Sequence, residues 1–171
     1  MGLWAAFRRW VTPSKAPLLN IAADEGEGPV IIFLHGIASS AATFTHVIPQ
    51  LSDHYRCISF DLLGFGESPS PVDATFTIEE HVDSIRATIN SLKLDAPFIL
   101  VGHSLGSLLA ARYTAMHPSK VSRLVLVSPP IYVPPNQIGD PLVRARVGAY
   151  MRAYEFLRDN KDFTMATAET L

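Results

Sequence analysis

A serine between two glycines is the residue of this chain best suited to chemistry. It lies in the pentapeptide Gly102-His103-Ser104-Leu105-Gly106, directly after an apolar run at 98–101 and directly before a helical pattern at 105–116. A Gly-x-Ser-x-Gly motif in the order strand, tight turn, helix exposes its serine hydroxyl at the edge of a sheet. We therefore predict that Ser104 is a nucleophile that attacks a carbonyl carbon.

The residues around the serine fit this role for steric and electrostatic reasons. A side chain at Gly102 or Gly106 would collide with the neighbouring strand or helix. The N–H of Leu105 lies at the positive end of the helix, where it lacks a helical acceptor, so it is predicted to stabilise an oxyanion. The alternative interpretation of Ser104 is a helix-capping serine in a glycine-rich turn.

Short apolar runs rich in β-branched residues are predicted to be the strands that position this motif. They are residues 30–34, 56–60, 98–101 and 124–127, with a further short strand at 18–23. Such runs, without alternation, are typical of parallel strands covered on both faces. Helical patterns occur at 42–51, 78–92, 105–116 and 141–157. The predicted fold is α/β, a parallel doubly wound sheet with flanking helices.

Composition and charge exclude several classes of function. The 171 residues carry 14 Lys and Arg against 16 Asp and Glu, so no positive field attracts phosphate backbones and no nucleic-acid partner is expected. The single cysteine, Cys57, is predicted to be a buried small hydrophobe, and it excludes a zinc site of several thiolates. We expect no metal and no organic cofactor.

The sequence also bears on location. No apolar run reaches the roughly 18 residues that cross a bilayer, and the first residues lack a signal-peptide pattern, which favours a cytoplasmic protein. Residues 3–11 have an amphipathic helical pattern and are predicted to pack on the protein itself, with membrane contact as the less favoured alternative.

Three motifs, in this order, resemble the α/β-hydrolase family. Phe33-Leu34-His35-Gly36-Ile37 is similar to the family's strand and His-Gly loop. Asp61-Leu62-Leu63-Gly64-Phe65-Gly66-Glu67-Ser68 is similar to its Asp-x-x-Gly-x-Gly-x-Ser loop, and the third motif surrounds Ser104. The resemblance covers about residues 18–128 and points to the serine-nucleophile branch. Relatives that open epoxides or remove halogen carry Asp at the position of Ser104.

The resemblance implies roles for individual residues. The N–H of Ile37 would be a second oxyanion donor beside that of Leu105. Asp61 is expected to brace its loop by hydrogen bonds. Neither His35 nor His103 is expected to be the base. Supporting roles in the loops are implied for His35, Gly36, Gly102, His103 and Gly106.

A serine nucleophile needs a general base, which in this fold is a histidine that follows an acid along the chain. His117 is the only histidine after Ser104, and thirteen helical residues place it roughly 20 Å away. We therefore expect the triad acid and histidine to lie beyond Leu171. The 171 residues would then be the N-terminal part of a longer hydrolase. They would comprise an arm and linker at 1–17, part of the core at 18–128, and the start of a lid at 129–171.

The predicted function is hydrolysis of a small carbonyl substrate, most generically an ester, through an acyl-enzyme on Ser104. The chain alone is expected to be nearly inactive, because loss of triad members costs many orders of magnitude in rate. The alternative is an inactive truncated chain or a partner-binding scaffold. Strand patterns do not resume after residue 127, so an open apolar sheet edge that can self-associate is predicted.

Overall fold

The computed structural model describes residues 16–131 and 135–160 of the chain. Its strands in this part are β1 (Ile21–Glu25), β2 (Val30–Leu34), β3 (Arg56–Phe60), β4 (Phe98–His103) and β5 (Val121–Val127). Its α-helices are α1 (Ile78–Ser91), α2 (Leu105–Met116) and α3 (Pro141–Asp159). The predicted amphipathic arm at 3–11 lies outside the described residues.

The strands form one sheet with the order β1-β3-β2-β4-β5. Strands β2, β3, β4 and β5 are parallel, and the register places Gly102 beside both Leu34 and Leu126. The carboxyl ends of β2, β4 and β5 therefore lie side by side. The predicted α/β fold with a parallel sheet and flanking helices is confirmed for these strands.

Strand β1 departs from the parallel arrangement, because it pairs antiparallel with β3. Only residues 26–29 join β1 to β2, so the chain reverses direction between them. The strand also begins and ends later than the predicted segment at 18–23. A short strand at a sheet edge carries little apolar pattern, and most residues of β1 are exposed.

Both faces of the central strands are buried by apolar side chains. One face packs against α1 and α2, and this larger core includes Ile32, Phe60, Ile85, Leu100 and Leu109. On the other face, Phe44 and Ile48 cover Ile31, Phe33 and Cys57. Cys57 is fully buried, as the sequence predicted.

The segment at 42–51 is not the predicted helix. It forms two 3₁₀ turns, Ala41–Phe44 and Ile48–Gln50. Pro49 has no N–H to donate to the preceding turn, which prevents a continuous α-helix. Helix α1, in contrast, begins with a complete capping box in which Thr77 and Glu80 each accept the other's backbone N–H.

The sequence predicted that the strand at 124–127, like the other apolar runs, is covered on both faces. For β5 this prediction is wrong among the described residues. Its apolar residues from Leu124 to Val127 are each 36–43% exposed. The strand lies at the sheet edge, with β4 on one side and α2 against it. Within the described residues, β5 therefore carries apolar side chains that the structure leaves partly exposed.

The register pair Leu100 and Leu124 offers a matched test of this difference, because Leu100 is fully buried and Leu124 is 36% exposed. Leu100→Ala should lower the free energy of unfolding by about 2–5 kcal/mol, since it opens a cavity in the core. Leu124→Ala should cost about 1 kcal/mol or less. Urea unfolding measures both, and equal losses would contradict the exposed placement of β5.

Candidate active site

The turn at residues 102–106 joins β4 to α2 and holds Ser104 in an unusual backbone conformation. Ser104 has φ 52° and ψ -117°, a region that costs a non-glycine residue of order 1–3 kcal/mol. Its N–H donates to the carbonyl of Val127 at the end of β5, over 3.0 Å. Its hydroxyl is half-buried and has no hydrogen-bond partner in the described part of the chain.

The two glycines of this turn are required by close backbone packing. A Cβ at Gly102 would overlap the Gly106 carbonyl, which belongs to the first turn of α2. A Cβ at Gly106 would overlap the carbonyls of Leu34 and His35 at the end of β2. The helix therefore starts directly against the backbone of two strands, and this packing fixes the position of the turn.

The loop after β2 lies beside Ser104. A Cβ at Gly36 would stand 3.1 Å from the Ser104 Cβ and 3.2 Å from the His103 Nδ1, so both side chains flank this glycine. The N–H groups of Ile37 and Leu105 have no backbone acceptor within residues 16–131 and 135–160. Two unpaired amides thus follow the carboxyl ends of neighbouring strands, next to the serine.

His35 connects this loop to the loop after β3. The imidazole is completely buried, its Nδ1 lies 2.7 Å from the Gly36 carbonyl, and its Nε2 accepts the N–H of Leu62 over 2.9 Å. Such a bond to Leu62 requires the neutral ring with its proton on Nδ1. Burial lowers the pKa of His35, outweighing the Asp61 carboxylate, which acts in the opposite direction. His35 has no free nitrogen with which to act as a base.

Asp61 is the centre of a second network at the same edge of the sheet. Its buried carboxylate accepts the Asn20 side-chain amide and the Ala41 N–H, each over 2.9 Å, and the Glu67 N–H over 3.1 Å. Its backbone carbonyl accepts the Ser68 hydroxyl over 2.6 Å. The carboxylate thus joins three separate loops. Sequence reasoning found Asp61 but missed Asn20 and Ala41, since an isolated asparagine and a backbone amide carry no motif.

His81, on the first turn of α1, is a buried histidine that the sequence did not single out. Its ring centroid lies 6.3 Å from that of Phe76, and its Nδ1 has no partner within the described residues. Burial lowers the pKa of His81 to about 4. The group therefore stays neutral beside the His35 network.

His117 lies where the sequence predicted, at the carboxyl end of α2, with its ring centroid 4.8 Å from that of Tyr113 and the two rings tilted by 52°. It is at the opposite end of the helix from Ser104. Within residues 16–131 and 135–160, no group of three His, Cys, Asp or Glu side chains is placed to hold a metal ion. None of the helices described is both long and apolar enough to span a bilayer.

The sequence model of the alpha/beta hydrolase fold family matches residues 29–167. This chain belongs to that family. It is 40% identical over 114 residues to the probable lysophospholipase BODYGUARD 2 of Arabidopsis thaliana, a match that covers 63% of this chain and 24% of that protein. The chain thus spans about a quarter of the length of this curated relative.

Solved structures of the same fold are also similar. A serine hydrolase involved in carbazole degradation is 30% identical with a TM-score of 0.59, over 62% of this chain and 42% of that one. An epoxide hydrolase from Vigna radiata is 33% identical with a TM-score of 0.60, over 72% of this chain and 40% of that one.

The Asp61 network predicts a large effect on stability. Asp61→Ala should lower the free energy of unfolding by roughly 3 kcal/mol, since the buried Ala41 N–H and the part-buried donors of Asn20 and Glu67 lose their acceptor. Asp24→Ala is the matched control, because Asp24 forms an exposed ion pair with Arg56 that contributes about 1 kcal/mol or less. Chemical denaturation compares the two variants, and similar losses would show that the Asp61 carboxylate does not hold the loops.

His81 predicts a pH dependence of stability. The unfolded histidine binds a proton near its ordinary pKa of 6.5, whereas the folded one does so only near 4. The contribution of His81 to the free energy of unfolding should therefore be complete above pH 6.5 and decrease as the pH drops towards 4. The lowered pKa of His35 acts in the same direction. His81→Phe should reduce this fall by about 3 kcal/mol.

Urea unfolding across that pH interval measures the effect, with His46→Gln, at an exposed histidine, as the control that keeps the wild-type dependence. An unchanged pH dependence in His81→Phe would mean that the buried ring is not the group that titrates.

Proposed function

We propose that this chain is the nucleophile-bearing part of a serine hydrolase that cleaves a small ester or a related carbonyl compound. The observation that carries the proposal is the geometry of Ser104. Its unpaired hydroxyl lies on a turn of positive φ between β4 and α2, with the glycine loop after β2 beside it. A hydroxyl that merely capped a helix would bond to a backbone N–H of that helix, and Ser104 does not.

The proposed reaction begins with attack of the Ser104 Oγ on the substrate carbonyl carbon, while its proton passes to a general base. The N–H groups of Ile37 and Leu105 then hold the oxyanion of the tetrahedral intermediate. Each such donor contributes about 3–4 kcal/mol to transition-state stabilisation. The bond to the leaving alcohol breaks, the alcohol takes the proton, and water releases the acyl group from Ser104.

An ester is the substrate class best supported. The name of the Arabidopsis relative, a probable lysophospholipase, describes cleavage of a carboxylic ester, and one similar solved structure is a serine hydrolase. The similarity to an epoxide hydrolase carries less weight, because the family resemblance implies Asp at the position of Ser104 in relatives that open epoxides. We infer no metal or organic cofactor in this reaction.

The general base and its acid are proposed to come from residues beyond Leu171, as the order of the triad in this fold implies. Among the described residues, His35 is fully bonded and His117 lies at the far end of α2. The 171 residues alone should therefore react poorly. A cytoplasmic location remains a prediction from the sequence.

The exposed apolar strand β5 favours a second candidate function, a non-catalytic chain that binds a partner at the sheet edge. The two candidates differ in the reactivity of Ser104. A scaffold has no need of an activated hydroxyl, whereas a hydrolase requires one.

A fluorophosphonate probe distinguishes them. The complete gene product should be labelled at Ser104, and Ser104→Ala should abolish labelling, because the probe reacts only with an activated serine. Ser91→Ala, at the exposed end of α1, is the control and should label as wild type does. Absence of labelling in the complete product, or equal labelling of Ser104→Ala, would refute the enzyme proposal.

A further inference from the structure

Ser107, on the first turn of α2, makes hydrogen bonds that are unusual for a helical serine. Its side chain is 1% exposed, and its hydroxyl lies 2.7 Å from the carbonyl of Gly102 and 3.1 Å from that of Val127. A serine inside a helix ordinarily bonds to the carbonyl four residues earlier. Thr114 on the same helix does so, with its hydroxyl 2.8 Å from the Ala110 carbonyl. Ser107 instead bonds outside its helix.

The two acceptors of Ser107 are the backbone groups that flank the strained serine. Gly102 lies in β4 two residues before Ser104, and the Val127 carbonyl also accepts the Ser104 N–H over 3.0 Å. The N–H of Ser107 donates in turn to the Ser104 carbonyl over 2.9 Å. The single hydroxyl proton of Ser107 is shared between the ends of two parallel strands, so this residue joins β4, β5 and α2 around Ser104.

We propose that Ser107 is a positioning residue, which holds Ser104 in its positive-φ conformation by bonding Gly102 and Val127. This inference rests on the proposed function, since it assigns Ser107 to the same reaction without contact with the substrate. A backbone conformation of this energy persists only where surrounding contacts determine it. Among the described residues, the hydroxyl of Ser107 is the side-chain group that supplies such contacts on both sides of the turn.

Removal of the hydroxyl should therefore affect reaction more than stability. In Ser107→Ala, the turn loses its bonds to both strand ends, and the Ser104 Oγ is free to shift relative to the loop after β2. A displacement of about 1 Å in a catalytic group costs roughly 100-fold in rate. Binding of a substrate should change little, because Ser107 is buried beneath the turn.

The test compares Ser107→Ala with Thr114→Val in the complete gene product, each of which removes one hydroxyl from α2. The maximal rate constant of fluorophosphonate labelling should fall by about 10- to 100-fold in Ser107→Ala, with the probe's half-saturating concentration unchanged. Thr114→Val should keep the wild-type rate constant. Thermal unfolding of both variants, measured in parallel, shows whether stability accounts for any difference.

Amide hydrogen exchange at Ser104 gives a second readout that does not depend on activity. Exchange of this N–H, which is bonded to Val127, should accelerate about tenfold in Ser107→Ala and stay unchanged in Thr114→Val. The proposal would be overturned if Ser107→Ala kept both the wild-type labelling rate constant and the wild-type exchange rate. It would also be overturned if, in both variants, the labelling rate constant fell only in proportion to the loss of thermal stability.

Failure of the proposed function has a different signature. In that case the wild-type protein itself would not be labelled, and the exchange measurement alone would decide whether Ser107 holds the turn. Faster exchange in Ser107→Ala would support a positioning role for the Ser104 backbone, and unchanged exchange would reject it.

Discussion

The site depends on direct contact between backbone segments, with no side chain between them. The carbonyls of Leu34 and His35 lie where a Cβ of Gly106 would stand, and Gly102 packs in the same way against the start of α2. This contact sets the distance between β2 and the helix, and it brings the loop after β2 next to Ser104. Any residue larger than glycine at these positions would push the serine away from the amides that surround it.

A layer of buried polar groups supports that contact. His35 bonds two loops with its two ring nitrogens, and Asp61 bonds three with one carboxylate. Because these groups are buried and satisfied, loss of His35 leaves the Leu62 N–H without its acceptor, and loss of the Asp61 carboxylate leaves the N–H groups of Ala41 and Glu67 without theirs. The loop after β2, which carries the unpaired amide of Ile37, is thus held by the hydrogen bonds of His35 and Asp61.

Much of this arrangement could be predicted from the sequence, because the apolar runs and the three glycine motifs are local patterns. The strands that flank Ser104, the capping box of α1 and the turn itself follow from neighbours in the chain. Other features could not be predicted. The antiparallel β1 is set by a short connection, the 3₁₀ turns at 41–50 by a single proline, and the exposure of β5 by what packs on it. The bonds of Ser107 to Val127 join residues 20 apart, which no local pattern encodes.

The positive φ of Ser104 lowers the stability of the fold at the residue that carries the proposed reaction. Glycine adopts that conformation at little cost, so a glycine there would relax the turn and make the fold more stable. It would also remove the hydroxyl. Serine at this position is therefore less stable than glycine would be, and drift towards a more stable chain would remove the proposed nucleophile unless selection for the proposed reaction retained it.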